Sequence, residues 1–186
     1  MTSKKRSWTD WLKLIIILLL ILLIVRMFTF NPLIVEGPSM QPTLMNDDRI
    51  IVDKISLLFK EPERFDIVVF HTTSRKNYIK RIIGLPGETI EYKDDILYVN
   101  NKQVDEPFIT SVKDQLPLNA RYTTNFTLLE DIPGGYNKVP DGHVFVLGDN
   151  RPNSTDSRRL GYIPTNQITG IARFTYWPLN EFGLIK

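Results

Sequence analysis

Three stretches of the chain carry side chains whose types and spacing could do chemistry. In "EGPSMQPTL" (residues 36–44) Ser39 follows Pro38 and precedes Pro42, and Gly37 stands just before them. The prolines restrict the backbone on either side and the glycine permits a tight approach, so the hydroxyl can be held at a fixed angle with its own N–H exposed. In "YIKRIIGLPGE" (78–88) a strand would point Tyr78, Lys80 and Ile82 to one face and Ile79, Arg81 and Ile83 to the other. One of two adjacent cations then sits among apolar neighbours. Burial disfavours the charged form of a lysine, and the neutral amine can take a proton from a serine. In "GDNRPNSTDSRR" (148–159) Asp149 and Asp156 stand with Arg151 and Arg158, matched charges for bidentate pairs, and Ser154 and Ser157 add hydroxyls. Taken alone, each stretch has an ordinary explanation: a Pro-Ser turn, a snorkelling surface pair, a solvated loop. His71 and His143 are the rival bases, but neither has a polar orienting group beside it and both read as structural.

The elements that would position these groups are short strands. "RIIVDKI", "DIVVFH", "YIKRIIG", "ETIEY", "DILYVNNKQV", "HVFVLGD" and "ITGIARFTYW" are rich in β-branched residues and bounded by turn signals. Asn100-Asn101 marks a tight hairpin. Residues 105–141 are broken by Pro107, Pro117, Pro133, Gly134, Gly135 and Pro140 and read as a loop-rich lobe inserted in one β-core. The chain of 186 residues has 23 Lys and Arg against 21 Asp and Glu, but the excess is confined to residues 1–30, which carry +4; the remainder carries −2 and offers nucleic acid no electrostatic footprint. With no cysteine, disulfides and thiol catalysis are excluded, and two histidines argue against a metal site. No cofactor is expected.

"WLKLIIILLLILLIVRMFTF" (11–30) reads as a transmembrane anchor, its ends extended by snorkelling Lys13 and Arg26. A cleavable signal peptide shares the pattern, but no small-x-small site follows. Lys4, Lys5 and Arg6 would hold residues 1–10 in the cytoplasm, leaving residues 31–186 as an extracytoplasmic domain on a cell membrane. The expected fold is mostly β: a single transmembrane helix, then an antiparallel β-sheet domain with the small 105–141 lobe.

Together and in this order, "SMQPTL", "YIKRIIGLPGE" and "GDNRPNSTDSR" resemble the signature boxes of type I signal peptidases, membrane-anchored Ser/Lys proteases that release secreted proteins, and the short single anchor resembles their Gram-positive branch. The resemblance implies that Ser39 is the nucleophile, Lys80 its base and Ser154 the residue that orients the lysine. It implies that Asp149, Arg151, Asp156 and Arg158 buttress the site by ion pairing, and that residues 31–186 are an extracytoplasmic catalytic β domain, an antiparallel β-sheet protease domain. Gram-negative members carry a serine where this chain has Gly37, which leaves the backbone N–H groups of Ser39 and Gly37 as the expected oxyanion donors. The implied substrates are secretory precursor proteins cut after Ala-x-Ala, in shallow apolar pockets near residues 33–37 and the Lys80 strand, beside the lipid bilayer and the secretion translocase. Two other readings are a catalytically silent assembly factor of the same fold, whose mark would be loss of the serine or lysine, and a self-cleaving repressor-type protease, which would lack the anchor.

Overall fold

Runs of Ile, Val, Phe and Tyr dictate a two-sheet architecture. The computed structural model describes residues 8–72, 77–117 and 120–185, without the side chains of 22–30. Helix α1 (Trp8–Thr29) leads into β1 (Phe30–Ile34), β2 (Arg49–Asp53), the short helix α2 (Ser56–Phe59), β3 (Ile67–His71) and β4 (Asn77–Gly84). Next come β5 (Ile90–Lys93), β6 (Ile96–Val99), β7 (Lys102–Val104), helix α3 (Pro107–Lys113), β8 (Phe126–Thr127) and helix α4 (Leu128–Asp131). The chain closes with β9 (His143–Leu147), helix α5 (Ser157–Leu160), β10 (Ile163–Pro164), β11 (Ile168–Trp177) and β12 (Gly183–Leu184).

The main sheet runs β1-β2-β11-β3-β4-β9-β10, with β12 also paired to β11, and the second sheet runs β7-β6-β5-β8. Each of these pairings is antiparallel. The second sheet is built from two tight hairpins. Asn100 and Asn101 close one with φ of 50° and 63°, the left-handed pair that a type I′ turn demands, and Asp94 and Asp95 close the other with φ of 52° and 65°. Ile83, Phe145 and Leu147 of the main sheet share an apolar cluster with Ile90, Tyr92, Leu97, Val99 and Phe126, which fastens the second sheet to the β4–β9 end of the first. Another cluster lies on the β1–β2 side, where Val35, Met40 and Leu44 pack with Ile50, Val52, Ile67, Val69 and Ile79.

The expected transmembrane helix is not found. Among the described residues no helix is long and apolar enough to cross a membrane. Lys4, Lys5 and Arg6, on which the cytoplasmic assignment of residues 1–10 rests, lie outside the described residues.

Two features of the main sheet prepare the site. From Asn77 to Lys80, β4 is paired only to β3, because its pairing with β9 starts at Arg81. Strand β1 is an edge strand, paired to β2 alone. Between these strands β11 carries Gly170, pressed against β2: a Cβ there would lie 2.4 Å from Val52 Cγ1 and 3.0 Å from the Asp53 carbonyl oxygen. Gly170→Ala is therefore expected to cost about 1–3 kcal/mol, read as a lower urea midpoint at unchanged slope. An unchanged midpoint would mean that β2 and β11 slide apart freely, against the packing described.

Candidate active site

The β1–β2 connection carries Ser39 on a loop tied down at several points. Gly37 takes φ +84°, a left-handed conformation that suits glycine, and a Cβ there would meet nothing within 4 Å. Its N–H donates to Asn46 Oδ1 at 2.8 Å. Beyond the serine, Gln41 N–H donates to the Pro38 carbonyl and Leu44 N–H to the Met40 carbonyl, while Met40 and Leu44 are wholly buried. Two such side chains, each contributing about 2–3 kcal/mol by burial, hold the loop to the core.

Strand β4 brings Lys80 to the serine. Lys80 Nζ lies 2.7 Å from Ser39 Oγ and 2.8 Å from the Ile79 carbonyl oxygen. Alternation along β4 is as the sequence suggests, with Tyr78 and Ile82 in one apolar cluster and Ile79 and Ile83 in others. Yet both adjacent cations are buried, at 3% exposure for Lys80 and 1% for Arg81, because covering layers lie on both faces of the strand. They solve the problem differently. Arg81 keeps its charge through a bidentate pair with Asp149, Nε to Oδ1 at 2.9 Å and Nη2 to Oδ2 at 2.7 Å, a further bond to the Phe65 carbonyl, and the Phe108 ring 3.9 Å from its guanidinium carbon. Among the described residues Lys80 has no carboxylate in contact; burial lowers its pKa from 10.5 to about 8, against the opposing pull of Asp156 and Asp149.

The loop from Gly148 to Ser154 closes over the serine from the β9 side. Asn150 N–H donates to the Ser39 carbonyl and Asn150 Nδ2 to the Pro38 carbonyl, both at 3.1 Å. Asp156 accepts Gly148 N–H at 3.0 Å and a bidentate grip from Arg158, Nε to Oδ1 and Nη2 to Oδ2, each at 2.8 Å. Burial opposes ionisation of Asp156, but Arg158 and the Gly148 N–H outweigh it and hold the carboxyl below the usual range.

Several expectations need correction. Asp149 pairs with Arg81 and not with Arg151. Arg151, buried completely, turns to the second sheet, where its Nη2 meets Glu106 Oε1 at 2.6 Å and its Nη1 meets the Tyr92 hydroxyl, while Nε returns to the Gly148 carbonyl at 2.9 Å. The Gly37 N–H is committed to Asn46 and is not available to an oxyanion. The Ser39 N–H has no hydrogen-bond partner among the described residues. Ser154 Oγ is buried and makes no hydrogen bond of good geometry among the described residues, though it lies near enough to Asp156 to help hold that carboxyl low, and it packs against Gly148 so tightly that a Cβ on that glycine would fall 2.2 Å from it. His143 Nδ1 meets the Asp141 carbonyl at 2.9 Å and His71 is exposed at the end of β3; neither lines the cleft around Ser39. Sequence reasoning gave no role to Arg81, Glu106, Tyr92, Asn46 or Asn150. Adjacency to a buried lysine was the available signal for Arg81; nothing in spacing links Glu106 to Arg151.

A buried primary amine touching a serine hydroxyl, without histidine or metal ligands nearby, can perform acyl transfer by proton abstraction. The family model for signal peptidase, peptidase S26, matches residues 8–177 of this chain. The chain belongs to the signal peptidase family. It is 49% identical to signal peptidase I of Bacillus caldolyticus over 158 residues, covering 85% of each chain, and 44% identical to signal peptidase I S of Bacillus subtilis, covering 96% of this chain and 94% of that one. A crystal structure of a signal peptidase I from Enterococcus faecalis is similar at a TM-score of 0.56 and 44% identity, covering 60% of this chain and 97% of that one. As a signal peptidase, the protein is a serine endopeptidase that removes signal peptides from secretory precursor proteins.

In this signal peptidase the Arg81–Asp149 pair ties β4 to the loop after β9. Asp149→Asn strands the Arg81 charge in the interior and is expected to cost about 3–5 kcal/mol, read as a lowered urea midpoint. A variant as stable as the parent would show that the pair is solvated and does not hold the two elements together.

Proposed function

We propose that Ser39 is the nucleophile and neutral Lys80 the general base of signal-peptide cleavage. The 2.7 Å contact between Nζ and Oγ carries the reading. A neutral amine has one lone pair and two N–H bonds. The lone pair accepts the Ser39 proton, one N–H serves the Ile79 carbonyl, and the other is assigned to Ser154 Oγ, a buried hydroxyl whose own proton faces Asp156 and whose lone pairs are left to orient the amine. As Oγ adds to the scissile carbonyl, the oxyanion forms against the Ser39 N–H. Lys80 then returns its proton to the departing amine, leaving an acyl-enzyme on Ser39. A water then gives its proton to Lys80 and adds to that ester, and Lys80 passes the proton to Ser39 Oγ as the acid departs, which restores the hydroxyl and the neutral amine.

The lowered pKa makes this feasible near neutrality. With a pKa of about 8, about a tenth of the amine is neutral at pH 7, against about one part in three thousand at the ordinary value. Asp149 with Arg81 and Asp156 with Arg158 fix the surrounding frame, and Arg151 anchors the loop to the second sheet.

The precursor binds as an extended strand. Leu33, Val35, Met40, Tyr78, Ile79 and Lys80 line a cleft of about 570 Å³ beside Ser39, flanked by the open edges of β1 and of β4 at 77–80, so main-chain bonding on the strand-addition pattern is available. Apolar walls this close to both edges favour small side chains at alternate positions, in keeping with Ala-x-Ala. Residues 31–186 form the catalytic unit, with 105–141 as its inserted lobe. We place its work on the extracytoplasmic side of the cell membrane, at a lipid bilayer and near the translocase. The exposed apolar side chains of Trp8, Trp11 and Leu14 to Ile21, and of Trp177, Leu179, Phe182 and Leu184, give lipid a surface to cover.

Purified protein in detergent is expected to cut a secretory precursor after Ala-x-Ala, with Ser39→Ala and Lys80→Met each folded and inactive and the His71→Gln/His143→Gln double variant active. Only the unprotonated amine reacts, so the parent's rate is expected to rise with pH and level off above about 8. Near-parental cleavage by either dyad variant, or a profile centred near 6.5, would overturn the assignment.

A further inference from the structure

Glu36 sits three residues before Ser39, lines the cleft and is exposed, and it has no ion-pair partner among the described residues. Among the described residues lining that cleft, the one basic side chain is Lys80, which is buried and committed to Ser39. The local backbone fixes which way Glu36 faces. Val35 uses both its polar groups on the β2 side, donating to the Asp48 carbonyl at 2.8 Å and accepting from Asp47 N–H at 2.9 Å. Gly37 N–H goes to Asn46 on the same side. By strand alternation, Glu36 between them turns its N–H and C=O to the open edge, while its side chain lies on the face opposite that of buried Val35.

A substrate strand added to this edge meets a strict geometric rule. Residues directly paired across two strands project their side chains to the same face, with Cβ atoms about 5 Å apart. The substrate residue paired with Glu36 therefore points outward beside the carboxylate, and its two neighbours point inward over Val35. Inward neighbours must be small, so the residue beside Glu36 is the middle one of a small-x-small site.

We propose that Glu36 is a specificity-determining residue that favours a basic side chain at the middle position of the cleavage site. This rests on the extended-strand reading of substrate binding. Its attractive half is a Lys or Arg ammonium or guanidinium against the Glu36 carboxylate; its repulsive half is an acidic side chain forced beside a like charge, and discrimination uses both. The interaction is exposed, so it is modest and salt-dependent.

The test uses the full chain in detergent with three precursor peptides identical except at the middle position, Ala-Lys-Ala, Ala-Gln-Ala and Ala-Glu-Ala. At low salt the kcat/KM for the lysine peptide is expected to exceed that for the glutamate peptide by about five- to tenfold, and to fall towards unity in about 1 M salt. Glu36→Gln should flatten the ratio and Glu36→Lys reverse it, each ratio being taken within one protein. A parental ratio near one, or a ratio that survives Glu36→Gln, overturns the proposal. Failure to cut any of the three peptides would instead overturn the cleavage-site reading on which it rests.

Discussion

The site depends on one constraint: an amine must be desolvated enough to shed its proton at moderate pH while still touching a serine hydroxyl. Burial alone would do the first, but the carboxylates of Asp149 and Asp156 sit close enough to pull the Lys80 pKa back up. Each of them is gripped by its own arginine, Asp149 by Arg81 and Asp156 by Arg158. Matched in this way, the carboxylates present the amine with nearly neutral pairs instead of bare negative charges, and desolvation prevails. The buried ion pairs thus have an electrostatic consequence besides their geometric one, since an unpaired carboxylate in a low-dielectric interior would favour the ammonium.

Position follows from two loops that cross. The serine loop is anchored in the core through Met40 and Leu44, and the loop after β9 reaches over it with Asn150, which holds the carbonyls of Pro38 and Ser39. That second loop is held in turn from the second sheet, where Glu106 and Tyr92 receive Arg151, and where the Tyr122 hydroxyl donates to the Asp149 carbonyl at 2.9 Å. The 105–141 segment is therefore mechanically continuous with the Ser39 loop, though none of its described residues lines the cleft.

Local rules carried much of this. Strand-length β-branched runs became strands, Asn100-Asn101 became a two-residue hairpin, and the stretches around Ser39 and Lys80 come together although they lie 41 residues apart. Partner choice was not legible. Asp149 stands two positions from Arg151 but bonds Arg81, 68 residues away, and Arg151 bonds Glu106, 45 residues away; which arginine meets which carboxylate is decided by sheet packing and not by spacing. Alternation separated Lys80 from Arg81 by face, but could not say that both faces of β4 would be covered. Gly37 read as an oxyanion donor because the sequence gives no hint that Asn46, nine residues on, takes its N–H. The apolar run at 11–30 read as a membrane span from composition, whereas among the described residues no helix is long and apolar enough to cross a membrane.

The most direct measurement is of the Lys80 amine itself. With the protein labelled with 15N at lysine side chains, the Lys80 Nζ resonance, assigned by its loss in Lys80→Met, can be followed from pH 5 to 11. A basic group whose folded pKa is depressed is charged below that value and neutral above it, so the result expected is a single transition with a midpoint near 8. It should move upward when Arg158→Gln leaves Asp156 without its partner. A midpoint near 10.4, that of a solvated lysine, would contradict the account, because the amine beside Ser39 would then be an ammonium wherever the enzyme works.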